Sequence, residues 1–183
     1  MSNTIVIFGA SGDLTSRKLI PALYRLHKKG RLPDQTRIVG VSRSPYEHDA
    51  WRDSLREMTA KFVGKSFSAE AWETFAPTIY YQPGDIQDDD SFEQLATFLN
   101  EIEDGQPTGR VYYLSTMPQL YEPAIAQLGK AGLASEHNGT RRIIIEKPFG
   151  TDLKTAKELN VRIHGVFSED QIYRIDHYLG KET

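Results

Sequence analysis

Apolar and polar positions along the chain alternate between two rhythms. Short, nearly unbroken apolar runs at 5–8, 37–42, 78–82, 110–115, 142–146 and 171–175 are rich in Ile, Val and Tyr. They are too short for helices and suit strands buried on both faces of a parallel sheet. Between them lie longer stretches in which apolar residues recur every three or four positions. Residues 14–29 carry Leu19, Ile20, Leu23, Tyr24 and Leu26 on one side and stop at Gly30. Pro21 lies inside that stretch, lacks an N–H and crowds the Arg17 carbonyl, which predicts a kink or an irregular first turn. Helices are also predicted over 47–63, over 90–103 with Phe92, Leu95, Phe98 and Leu99 on one face, after Met117-Pro118 with an end near Gly132, and over 152–167. Ser68 has the character of an N-cap for a short helix. No internal repeat or low-complexity linker interrupts the series. The alternation predicts an α/β fold: a Rossmann-like, doubly wound, mostly parallel sheet with helices on both faces.

Composition narrows the function. The 183 residues suffice for one sizeable core and the start of a second domain. A net charge of −3 supplies no basic field for nucleic acid or anionic lipid, so functional cations must be placed locally. The absence of cysteine excludes a disulfide frame, a thiolate nucleophile and a thiolate metal site, and no metal is expected. The N-terminus lacks a cationic lead, and the apolar run after it is too short for a signal peptide or membrane span. The expectation is a cytoplasmic protein without nucleic-acid or membrane partners.

Candidate chemistry gathers where strands give way to turns. After the first run, Gly9 and Gly12 permit unusual backbone angles, and the helix that follows offers free N–H groups and the positive end of its dipole to a phosphate. Alone, the double-glycine turn fits an unliganded connection equally well, since G-x-G-x-x-G would need glycine at Ser11 and Leu14. Its place at the head of an alternating α/β chain favours a dinucleotide. At the end of the second run stands Ser42-Arg43 rather than an acid. A guanidinium beside a hydroxyl suits a ribose 2′-phosphate and so NADP, although a loop arginine is commonly just solvated. Glu146 and Lys147 are delivered to the end of the fifth run, with Pro148 holding Lys147 away from helix. Asp176, His177, Tyr178 and Lys181 crowd together near the chain end, a grouping able to hold a phosphate monoester.

Three stretches together resemble the glucose-6-phosphate dehydrogenases: the run from Gly9 to Leu19, Ile145-Glu146-Lys147-Pro148-Phe149-Gly150, and Arg174-Ile175-Asp176-His177-Tyr178-Leu179-Gly180-Lys181-Glu182. The resemblance extends in register from Ile5 to the last residue. Thr15, where that family often has alanine, and Ser115-Thr116-Met117-Pro118, in place of a double-proline turn, are small departures. The resemblance implies that Gly9, Ala10, Ser11, Gly12, Asp13 and Leu14 wrap the pyrophosphate of NADP and that Arg43 holds its 2′-phosphate. It implies that Asp85 and Ile86 border the adenosine, and that Lys147, before a cis proline, touches coenzyme and sugar. His177, Tyr178 and Lys181, with Lys18 nearby, would bind the phosphate of glucose 6-phosphate, and Asp176 would orient the catalytic histidine. In that family the histidine lies downstream of the Asp-His-Tyr motif. His177 adjoins Asp176 and points to the opposite face of an extended strand. His27, His48, His137 and His164 are expected to lack a carboxylate partner. The expectation is therefore an N-terminal portion: 1–172 an NADP-binding domain, 173–183 the start of a truncated substrate domain, inactive alone. Association with a second copy or with a full-length subunit is left open.

Overall fold

The computed structural model describes residues 2–150 and 152–175. Among these residues six strands form one sheet: β1 (Asn3–Phe8), β2 (Thr36–Ser42), β3 (Ile79–Pro83), β4 (Gly109–Leu114), β5 (Arg141–Glu146) and β6 (Ile172–Ile175). Their order is β3-β2-β1-β4-β5-β6 and every neighbouring pair is parallel. This is the doubly wound arrangement that the alternating pattern predicts, and each apolar run falls on a strand.

Successive side chains on a strand face opposite ways, so each buried strand serves two cores. Val6 and Phe8 of β1 join Val39, Val41, Tyr112, Leu114, Ile143 and Ile145 beneath α4 (Asp89–Ile102), α5 (Tyr121–Lys130) and α6 (Leu153–His164). Ile7 faces the other way, with Ile38, Ile79 and Tyr81, beneath α1 (Ile20–Lys28), α2 (His48–Val63) and α3 (Ala69–Phe75). An apolar run without polar alternation is what this two-sided burial requires.

Pro21 has the predicted local effect. The helical stretch after β1 opens with a π-turn at Thr15–Leu19, in which the Ile20 N–H donates to the Thr15 carbonyl, before α1 begins. Ser68 caps α3, its hydroxyl accepting from the Ala71 N–H at 3.3 Å. Met117 is followed by a 3-10 turn at Pro118–Leu120, which leads directly into α5. Among the described residues no helix is long and apolar enough to cross a membrane. Asp176, His177, Tyr178 and Lys181 lie outside the described residues.

Candidate functional site

The ends of five strands converge on one cleft of about 760 Å³, lined by Gly9, Ser42, Gly84, Ser115 and Glu146 among others. An open parallel sheet forms its crevice where the chain, having built one half of the sheet, crosses to the other, here between β1 and β4.

The turn after β1 is the floor of the cleft. Gly9 has φ +87°, and a Cβ there would lie 2.1 Å from the Ser115 carbonyl oxygen, so only glycine lets the turn pack on the end of β4. The Gly9 and Ala10 N–H groups donate to the Val41 carbonyl at 2.9 and 3.1 Å, and Gly12 N–H donates to the Gly9 carbonyl at 2.9 Å. Thr15, fully buried, donates its hydroxyl to the Gly9 carbonyl at 3.1 Å and lies 3.3 Å from Ser115 Oγ. Thr15 and Ser115, a hundred positions apart, therefore meet. The Gly12 carbonyl accepts from Ser16 N–H, which leaves the Asp13 and Leu14 N–H groups in the first helical turn, at the cleft both residues line. That end of the helix favours an anion. The Asp13 carboxylate is paired along the helix with Arg17, at 3.2 Å.

Arg43 stands on the β2 side, exposed, with no acid paired to it among the described residues. Beyond it the turn after β3 braces itself, the Asp85 carboxylate accepting from Gln87 N–H and the Asp85 N–H donating to Ser91 Oγ, both at 3.0 Å. Ile86 adds an apolar wall. Ser115, Thr116, Met117, Leu120 and Glu146 form the opposite side. There the Tyr113 hydroxyl donates to Glu146 Oε1. Burial, with the Glu146 charge beside them, pushes both nearby phenols up, Tyr121 to about 12, so each keeps its proton at neutral pH.

Of the residues singled out in the sequence, Gly9, Ser11, Gly12, Asp13, Leu14, Arg43, Asp85 and Ile86 line the cleft. Ala10 is buried beneath it and holds the turn through its N–H. Lys147 is exposed and joined to Pro148 by a cis peptide bond. It and Lys18, exposed on the π-turn, are not among the lining residues. The expectation about the histidines is corrected at one position: His164 Nε2 lies 3.0 Å from Glu169 Oε2 because the turn after α6 folds back on the helix end. No histidine among the described residues lines the cleft. Sequence reasoning gave no role to Tyr81, Thr15 or Ser115. Each acts through a partner distant along the chain, which leaves no local signal.

An anion seat at a helix start, a cation at the end of β2 and an acid at the far side define a dinucleotide-binding α/β protein. The family model "Glucose-6-phosphate dehydrogenase, NAD binding domain" matches residues 6–183, and the chain belongs to that family. It is 46% identical over 181 residues to the glucose-6-phosphate 1-dehydrogenase of Aggregatibacter actinomycetemcomitans, covering 98% of this chain and 36% of the relative. Against the enzyme of Zymomonas mobilis the identity is 43% over 182 residues, covering 99% of this chain and 36% of the relative. A solved glucose-6-phosphate dehydrogenase in complex with its substrate glucose 6-phosphate superposes with a TM-score of 0.87 at 34% identity, covering 99% of this chain and 38% of that one. An NADPH-bound carbonyl reductase from chicken fatty liver, 11% identical with a TM-score of 0.53, covering 94% of this chain and 77% of its own, shares the fold alone. The chain thus spans just over a third of the length of the relatives it matches.

Proposed function

We propose that the chain is the coenzyme-binding portion of a cytoplasmic glucose-6-phosphate dehydrogenase and that it binds NADP in preference to NAD. The observation that carries this reading is Arg43, placed at the end of β2 on the same cleft as the glycine turn. A carboxylate there would pair with a ribose 2′-hydroxyl and repel a 2′-phosphate. A guanidinium attracts the phosphate with charge-assisted hydrogen bonds. The other residues fit the rest of the coenzyme. The Asp13 and Leu14 N–H groups suit the pyrophosphate, Asp85 and Ile86 border the adenosine, and the wall from Ser115 to Glu146 remains for the nicotinamide half.

Bound NADP supplies the hydride acceptor. On this reading the whole enzyme would oxidise glucose 6-phosphate at C1 to the 6-phosphoglucono-lactone, the entry step of the pentose phosphate pathway, with a base taking the C1 hydroxyl proton. Lys147 touches coenzyme and sugar on this reading. Lys18, His177, Tyr178 and Lys181 hold the sugar phosphate, and Asp176 orients the base. The coenzyme domain, expected over 1–172, runs on through β6 to Ile175, and the residues after it lead into the substrate domain. The 183 residues span just over a third of the relatives' length, and on this reading they bind coenzyme without turnover of their own.

Calorimetric titration of the full chain with NADP and NAD tests the reading. NADP is expected to bind more tightly, and Arg43→Ala to weaken NADP roughly tenfold to a hundredfold while sparing NAD. The same samples supplied with glucose 6-phosphate are expected to form no NADPH. Equal affinity for the two coenzymes would remove the role of Arg43.

A further inference from the structure

One buried phenol holds the turn that carries Arg43. Tyr81 of β3 is 2% exposed, its ring 5.1 Å from the Trp51 ring and met edge-on by Tyr46 at 5.5 Å. Trp51 fits because β2 has Gly40 beneath it, where a Cβ would come within 2.2 Å of the indole. The Tyr81 N–H donates to His48 Nδ1 at 3.0 Å. Ring and backbone together fix the hydroxyl, which lies 2.6 Å from the Ser44 carbonyl oxygen, 2.7 Å from Ser42 Oγ and 3.2 Å from the Ser42 carbonyl oxygen.

Counting protons assigns the direction of these bonds. A phenol has one proton and a carbonyl has none, so an oxygen 2.6 Å from the Ser44 carbonyl must be its donor. The Ser42 hydroxyl then donates to Tyr81 Oη, and its proton is not available to a ligand. Burial pushes the Tyr81 phenol above its usual value, which keeps this arrangement through neutral pH. Two backbone groups complete the clamp: Tyr46 N–H on the Ser44 carbonyl and Gly84 N–H on the Ser42 carbonyl, each at 3.0 Å. The residues on either side of Arg43 are thus fixed while its guanidinium stays exposed.

We propose that Tyr81 is the positioning residue that presents Arg43 to the 2′-phosphate, and so helps set the discrimination between NADP and NAD, with Ser42 a support for Tyr81 rather than a phosphate ligand. This rests on the coenzyme reading above. Tyr81→Phe keeps the ring and its packing but releases the turn, so the order formerly built in must be supplied on binding.

The experiment is a calorimetric cycle on the full chain with wild type, Tyr81→Phe, Arg43→Ala and the double variant, each titrated with NADP and NAD. Tyr81→Phe is expected to weaken NADP about fivefold and change NAD less than about twofold, and to add less than about twofold to the loss already seen in Arg43→Ala. Equal weakening of both coenzymes, no change in either, or the same NADP loss with and without Arg43 would overturn the proposal. Ser42→Ala, which removes a hydroxyl directed at Tyr81, is expected to cost less NADP affinity than Tyr81→Phe. A loss of about tenfold or more would place Ser42 on the phosphate and overturn the proton assignment. If Arg43→Ala leaves the NADP to NAD ratio intact, the coenzyme reading itself fails, whatever Tyr81→Phe does.

Discussion

At Gly9 two separate constraints meet at one Cα. The turn needs φ +87°, and the space a side chain would take belongs to the Ser115 carbonyl oxygen, 2.1 Å from an ideal Cβ. That neighbour is backbone at the end of a central strand and cannot swing aside. Gly9→Ala is therefore expected to cost about 2–4 kcal/mol, combining left-handed strain with a displaced β4 end, and to lower coenzyme affinity because the displaced turn opens the helix start. Urea unfolding and NADP titration check the two effects, and a variant of wild-type stability would show that the turn can relax. Gly9 and Arg43 were legible in the sequence because each has an intrinsic property, a permissive backbone or a charge, at a position that the strand pattern defines. Tyr81 was not. As one aromatic in an apolar run it reads as core, and only the pairing of β3 with β2, which sets Tyr81 against Gly40, brings its hydroxyl to the turn at 42–44.

Elements were legible where two-sided burial left long apolar runs, and less so where tertiary contacts decide a boundary. The join between α4 and β4 is such a place. Glu103 follows the last residue of α4 and looks like an ordinary polar helix end, yet it is 3% exposed and bound to Arg110 of β4 by three hydrogen bonds of 2.7 to 3.2 Å. The Arg110 side chain is itself only 11% exposed. The pair closes the connection between helix and strand inside the protein, and seven positions of chain separate its members, too far for a helical pairing rule to detect. Glu103→Ala would leave a buried cation without its partner, at an expected cost of about 3–5 kcal/mol. Replacing both, as Glu103→Leu with Arg110→Met, removes the uncompensated charge and is expected to restore most of that loss. Urea midpoints decide: a double variant as unstable as the single one would mean that the pair matters by shape rather than by charge.

Over the whole molecule, charge is organised differently in the two halves of the sheet. Lys130 beside Asp89 holds that carboxyl below its usual range and ties the start of α4 to the end of α5. Glu136 is lowered by the Arg141 N–H and then by Arg142, at the entry to β5. Asp152 is lowered by the Thr155 N–H it caps at the start of α6, Glu169 by Arg174 of β6, and Asp170 by the Ser168 hydroxyl. All five serve the side built from α4 to β6. A carboxyl whose folded value lies below its unfolded value contributes stability that is present above the ordinary carboxylate range and is lost as pH falls through the lowered value. Each group is exposed, so each contribution is small and screened, but they act on the same elements. Between about pH 5 and pH 3 the side chains that ordinarily titrate are carboxyls. Over that interval the amides of β5, β6 and α6 are expected to lose hydrogen-exchange protection before those of β2, β3 and α2. The cleft would then open from its Glu146 side first. Protection lost equally in both halves would show that acid acts on the fold as one unit, and that these carboxyls do not direct it.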